Sequence, residues 1–304
     1  SATIDLEAKL TADKSDNLLQ DYNFVPILSD SLAELRTPIV AGSKDLSALR
    51  LSGVPRQVVE PVQKLKSYYS ILIPITNDAK QINQIIPALL GLDKPSKWMI
   101  VFQNTAEARS IGGYPGGWGI LTASDGKLSL SSLYKRSALM NRLLANYSDY
   151  VSPDQASLYG SDLSRMSDLN LSPDFPTNAR LMAALEELNV GVPIDGVITM
   201  NEKALATLMK STGPVEVGNK SVTADHVAEY VTKGVYQDYP NPDDKDSIAF
   251  SIIEKTFMKF KTGAISPIQL IRAFIPAIYD QNIRIWAKNE TLQSKIMQLS
   301  LIHI

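Results

Sequence analysis

The chain has 304 residues, 44% of them hydrophobic, and a mean hydropathy of −0.05, enough apolar material for one large core or two smaller ones and too much for a disordered chain. Lys+Arg 30 against Asp+Glu 32 leaves a net charge of −2, so nothing in the balance attracts nucleic acid or an anionic membrane surface. There is no cysteine, and His226 and His303 are the only histidines, which excludes disulfides, thiolate metal sites and cysteine nucleophiles and leaves a Ser-His-Asp triad little to work with.

A chain without thiols suits an oxidising, extracytoplasmic space. No apolar run reaches the roughly 18 to 20 residues that cross a bilayer, and Ser1-Ala2-Thr3 leads into a charged helical pattern instead of a signal peptide. A membrane anchor is therefore expected outside this stretch of sequence.

From Thr3 to about Leu92 the spacing predicts helices throughout, with apolar stripes Leu6, Leu10, Leu18 and Leu19, then Ile27, Leu28, Leu32 and Leu35, then Val58, Val59, Val62 and Leu65, then Ile82, Ile85, Ile86 and Leu89. Residues 1–92 read as a helical module, a spacer or packing unit without convergent polar groups. After Gly91-Leu92-Asp93-Lys94-Pro95 the pattern changes, and 93–304 read as an α/β domain. Trp98-Met99-Ile100-Val101-Phe102 is a strand covered on both faces. A loop with Gly112, Gly113, Gly116, Gly117 and Gly119 follows, then a hairpin turning at Asp125-Gly126. Arg136 to Tyr147 reads as helix and Ser148 to Pro176 as a long polar loop.

Regular α/β alternation comes next: helix Thr177–Leu188, strand Ile194–Met200, helix Glu202–Ser211 and a short strand at Pro214–Val217. Thr223 caps a helix to about Thr232, Gly234–Lys245 reads as a second polar loop, and Asp246 opens a long amphipathic helix. Ser266-Pro267 starts another helix, Asn282–Ala287 forms a late strand and Glu290–Leu299 a final helix.

The segment Phe102 to Gly113 puts Asn104, Glu107 and Arg109 just past the end of a buried strand, where open α/β sheets bind ligands. Arg109 can fork onto a phosphate. Neither the phosphate-loop pattern nor the dinucleotide fingerprint is present, and a tight turn stabilised by a Glu107–Arg109 pair explains the segment equally well. A second cluster is Arg165, Asp168, Asn170, Asp174, Asn178 and Arg180, which grips a phosphorylated or sugar ligand or only caps and solvates a helix start. Tyr134-Lys135-Arg136 adds cations at a hairpin end, and Tyr236, Tyr239, Asp243 and Asp244 suit sugar stacking or ordinary surface. Trp98, Trp118 and Trp286 read as core, and His226 has no partner at metal-ligand spacing.

Several of these segments together resemble an uncharacterised family of membrane-anchored bacterial cell-envelope proteins, itself distantly similar to the LytR-CpsA-Psr domain of cell-wall glycan phosphotransferases. They are Trp98–Gly113, Leu171-Ser172-Pro173-Asp174-Phe175-Pro176 with Ala179-Arg180, Pro193–Ile198 and Thr212-Gly213-Pro214-Val215. The resemblance covers about Trp98 to Phe260 and implies a LytR-CpsA-Psr-like α/β sandwich with a mixed central sheet, outside the cell membrane, following the N-terminal helical bundle, which is read from the apolar spacing and is not covered by the transferases. It implies a pocket for a polyprenyl-phosphate-linked glycan, lined by arginines and acidic residues. Lys210 falls where the transferases carry an acidic residue, Ser137 replaces an aspartate beside Arg136, and Val227–Gly234 occupies the place of an Arg-x-Arg stretch. Losing those charges removes the stabilisation phosphoryl transfer depends on.

The sequence reading is thus an extracytoplasmic envelope protein that binds a lipid-linked or polymeric envelope glycan through Asn104, Glu107, Arg109, Arg136, Asp174 and Arg180. No catalytic residue and no metal ligand is assigned, and magnesium enters only if the chain is a transferase. The alternatives are a divergent phosphotransferase or hydrolase on polyprenyl-pyrophosphate-linked glycan, and a structural envelope-assembly module.

Overall fold

The computed structural model describes residues 24–131, 133–135, 143–239, 241–262, 274 and 276–299. The predicted first helix, Arg136, the start at Ser266-Pro267 and the final Leu301–Ile304 lie outside them. Three helices open the described chain: α1 (Phe24–Ala48), α2 (Arg56–Asn77) and α3 (Ala79–Leu89). α1 and α2 form a hairpin whose close approach is set at Gly42, where a Cβ would stand 2.5 Å from the Tyr69 hydroxyl. A two-helix hairpin buries one face of each helix, so Val59 and Val62 are half-buried while Val58 and Leu65, expected on the same stripe, face solvent. None of the described helices is long and apolar enough to cross a membrane.

α3 turns onto the sheet that follows. Its Ile85 joins Trp98, Ile100 and Leu121 in one core cluster, and the Ala88 carbonyl accepts from Ser96 Oγ at 3.1 Å. The sheet is mixed and six-stranded: β1 (Ser96–Ala108), β2 (Gly113–Ser124), β3 (Lys127–Leu130), β4 (Tyr134–Lys135), β5 (Gly196–Asn201) and β8 (Ile283–Ala287). The order is β3-β2-β1-β5-β8, with β4 also on β2; β1 and β5 are parallel and the other pairs antiparallel. Alternation along β1 divides the core. Met99 and Val101 pack with α5 (Phe175–Val190) through Leu181, Met182 and Leu185. Trp98 and Ile100 face α6 (Glu202–Thr212) and α10 (Glu290–Met297) through Ala204, Leu208 and Ile296.

The β2–β3 hairpin turns at Asp125 and Gly126 with φ of 50° and 74°, the paired positive values a two-residue primed turn requires. The glycines read as a loop are mostly strand. Gly113, Gly116, Gly117 and Gly119 lie in β2, and a Cβ on Gly113 would fall 2.0 Å from the Asn104 carbonyl across the ladder. Their smallness serves strand contact, which the absence of side chains hid from a pattern-based reading.

Two expected loops contain helices. Residues 147–168 fold into short 3₁₀ turns around α4 (Pro153–Tyr159), opened by a Ser152–Gln155 capping box. At Leu143 the chain is paired with Arg165 and not helical. The remaining elements are the β6–β7 hairpin (Val215–Val217, Lys220–Val222), α7 (Ala224–Glu229), a π-helical turn (Tyr230–Gly234), α8 (Val235–Asp238) and α9 (Pro242–Thr262). α9 starts at Pro242, earlier than the Asp246 expected.

Candidate functional site

The parallel pair fixes where a site can form. β1 and β5 run Trp98↔Gly196 to Gln103↔Asn201, so their carboxyl ends open on the same edge, the position at which α/β sheets hold ligands. A cleft of 80 Å³ lies there. Phe102 and Met200 from the strands, Leu205 from α6, Val231 from the π turn and Phe250 and Ile253 from α9 form apolar walls. Gln103, Asn104, Asn201, Glu202 and Tyr236 supply the polar groups. Gly117 forms part of the lining because Phe250 lies against it: a Cβ there would be 2.2 Å from the ring.

The strand ends are tied to the helix that follows β5. Glu202, buried in the first turn of α6, accepts from the Thr105 N–H at 3.3 Å and from the Thr105 hydroxyl. Asn201 caps α6 by accepting from the Lys203 and Ala204 N–H groups at 3.0 and 3.1 Å and donates to Asn282 Oδ1 at 2.9 Å. Asn104 donates to the Tyr236 hydroxyl at 3.0 Å and accepts from the Ala106 N–H at 3.0 Å.

The roof is held from outside. Lys220 pairs with Asp238, and its ammonium stands 5.4 Å from the centroid of the Tyr230 ring. The Lys220 hydrogen bond holds the Asp238 carboxyl below its ordinary range. Burial, and then the Asp238 carboxylate beside it, push the Tyr230 phenol up to about 12. A Cβ on Gly234 would meet the Tyr230 ring at 2.5 Å, so glycine permits the π turn, which carries Val231 of the cleft and leads into α8 with Tyr236.

The expected site residues divide among three places. Asn104 lines the cleft. Asp174 and Arg180 line a separate, open depression with Asp149, Tyr150, Ser152, Gln155 and Thr177. There Asp174 accepts from the Thr177 N–H at 2.9 Å as the N-cap of α5, and exposed Arg180 donates to Thr177 Oγ1 at 2.9 Å. Arg109 and Glu107 line neither. Glu107 is exposed near the end of β1, which runs on to Ala108 and so carries Asn104 and Glu107 within the strand. Arg109 donates to the Ala108 carbonyl at 3.0 Å and lies over the Tyr114 ring, its guanidinium carbon 5.0 Å from the centroid. Arg136 lies outside the described residues.

Of the second polar cluster, Asn170 donates to the Gly113 carbonyl at 2.6 Å and Asn178 to the Ser172 carbonyl at 2.7 Å, both fully buried. These amides knit the 170–178 segment to β2 and α5 and are not presented to a ligand. Sequence reasoning missed Glu202 and the α9 wall. The rule that selected Asn104, a polar residue at the carboxyl end of a buried strand, applies equally to Asn201-Glu202 at the end of β5.

Comparison with known proteins adds one family. Residues 93–236 match the family described as Protein of unknown function (DUF4012). The DUF4012 match runs from Asp93, just before β1, to Tyr236 and so spans Asn104, Glu202 and the π turn, while Phe250 and Ile253 of the cleft fall beyond it. No curated protein matches the chain. Among solved structures, the chain is similar to a transcriptional regulator from Enterococcus faecalis, with 13% identity, a TM-score of 0.39 and coverage of 70% of this chain and 74% of that one. A Streptococcus agalactiae protein gives 15%, 0.43, 71% and 77%. A transcriptional regulator from Bacillus subtilis gives 10%, 0.35, 68% and 78%.

Proposed function

We propose that this chain is an extracytoplasmic cell-envelope protein that binds a lipid-linked or polymeric envelope glycan, with the apolar portion of the ligand in the β1–β5 cleft. The observation that carries the reading is the cleft's mixed lining, in which Phe102, Met200, Leu205, Phe250 and Ile253 stand with Gln103, Asn104, Asn201, Glu202 and Tyr236. Such a site fits an amphiphile. The depression with Tyr150, Asp149, Asp174 and Arg180 offers a polar surface suited to sugars. The absence of cysteine favours the location. Binding without transfer is the reading, because the resemblance to the transferases puts Lys210 and the stretch Val227–Gly234 where those proteins carry their acidic residue and arginines.

The cleft's 80 Å³ is about half the ~150 Å³ of a cavity that takes up benzene. A hydrocarbon chain therefore enters with displacement of the roof, and the half-buried Val231 is the place to block it. Val231→Trp is expected to lower the affinity for octyl glucoside, read by displacement of a fluorescent apolar reporter, about tenfold or more. The melting temperature should stay within about 3 °C of wild type. Unchanged affinity in a folded variant would remove the cleft from the reading.

A further inference from the structure

The cleft is closed by walls that come from different parts of the chain. Val231 lies in the π turn and Tyr236 in α8, whereas Phe250 and Ile253 belong to α9. The β6–β7 hairpin is fastened to both sides. On one, the Lys255 ammonium of α9 donates to the Glu216 carbonyl at 2.5 Å and that of Lys259 to the Pro214 carbonyl. On the other, Lys220 of β7 pairs with Asp238 at the end of α8 and stands over the ring of Tyr230, the first residue of the π turn.

The two fastenings differ in strength. Val215, Val217 and Val222 of the hairpin are buried in one cluster with Phe250, Ile252 and Ile253 of α9, so apolar burial holds that side. On the other side Val227 and Val235 are fully buried, but none of the residues Tyr230–Gly234 between them is. The π turn, a departure from helix geometry that recurs at functional sites, is thus a segment anchored at both ends that carries Val231 of the cleft. Tyr230 and Val231 pack partly buried against the cluster. The outer contacts are an ion pair whose side chains are 49% and 31% exposed and one cation–π contact, both of small energy. The closed cleft of 80 Å³ is too small for an alkyl chain, and the lightly held side is the one that gives way.

We infer that the β6–β7 hairpin is a strap across the roof of the cleft and that Lys220 is its release point: with the Lys220 contacts broken, the π turn lifts between Val227 and Val235 and opens the cleft beside Val231. The opening belongs to the chain without ligand, and its use in admitting an apolar chain rests on the amphiphile reading above. Because the pair is exposed and ionic, raised salt loosens the strap.

Amide hydrogen exchange of the wild-type chain and of Lys220→Met, which keeps an apolar stem and removes the charge, tests the strap. The reporting amides are Val235, bonded to the Tyr230 carbonyl across the π turn, and Tyr239, bonded to the Val235 carbonyl at 2.9 Å. Lys220→Met is expected to speed their exchange about threefold to thirtyfold, with Ile252 in α9 and Val197 in β5 unchanged. Sodium chloride at about 1 M is expected to speed the same two amides in the wild type and not in Lys220→Met, and Lys220→Arg is expected to keep wild-type protection. Unchanged exchange at Val235 and Tyr239, or equal acceleration at Ile252 and Val197, would overturn the inference. The salt series on the wild type decides the matter alone if the variant fails to fold. Uptake of a fluorescent apolar reporter is followed alongside and is expected to be faster in Lys220→Met; uptake at the wild-type rate would overturn the strap as the gate of the cleft. Faster exchange with no reporter uptake by either protein would leave the strap in place and overturn the amphiphile reading.

Discussion

Gly196→Ala is expected to destabilise the fold by about 3 kcal/mol or more, at the upper end of what overpacking a core costs. Gly196 sits where β1, β5 and β8 meet, opposite Trp98 on one side and Ala287 on the other. A Cβ there would lie 2.3 Å from the Trp98 ring and 2.4 Å from the Trp286 carbonyl oxygen. Trp98 is 1% exposed and its Nε1 donates to Ser96 Oγ at 2.9 Å, so the ring has neither space nor freedom to retreat. The carbonyl belongs to the β8 backbone and moves only with that strand. Chemical denaturation should show a lower midpoint with an unchanged slope. A loss below about 1 kcal/mol would mean that the parallel pair is not packed as described.

Trp118→Phe is the second large effect, expected at about 2–4 kcal/mol from lost ring volume and a lost donor together. Trp118 and Glu186 are each 1% exposed, and Trp118 Nε1 donates to Glu186 Oε2 at 3.0 Å. Asn189 donates to the same oxygen at 3.4 Å. Phenylalanine fills part of the space and removes the strongest of these donors from a carboxylate sealed between β2 and α5. Adding Glu186→Gln is expected to return about 1 kcal/mol, because the group left behind is then uncharged. Equal or greater loss in the double variant would show that the indole acts through volume alone.

The elements with a repeating apolar signal were legible. β1 and β5 stand out as short apolar runs, Asp125-Gly126 names its own turn, and α6 follows from Asn201-Glu202 at its start. Capping geometry on 152–159 was readable in principle from Ser152-Pro153 and Gln155, yet the seven-residue helix carries no buried residue and so no periodicity. The extension of β1 past Phe102 was hidden for a related reason. Thr105 to Ala108 are polar or exposed, and pairing with β2 through a bulge and the bonds from Thr105 to Glu202 hold the segment to its neighbours.

The candidate site was less legible than the fold, because residue type gives no account of where a side chain's bonds are spent. Asp174 and Asn178 carry the chemistry expected of a sugar or phosphate site, but one caps α5 and the other is buried against the Ser172 carbonyl. Arg109 lies over Tyr114 at the far end of β1. The grouping of Phe102, Met200 and Phe250 joins residues nearly 150 positions apart, and it follows from the β1–β5 pairing that no local pattern announces.

The most direct measurement is backbone amide chemical-shift mapping during titration of the labelled protein with octyl glucoside. The largest saturable changes are expected at Phe102, Asn104, Glu202, Val231 and Phe250, with smaller ones around Tyr150 and Arg180. Changes confined to the exposed faces of α1 and α2, with the β1–β5 edge silent at saturation, would contradict the cleft as the binding site.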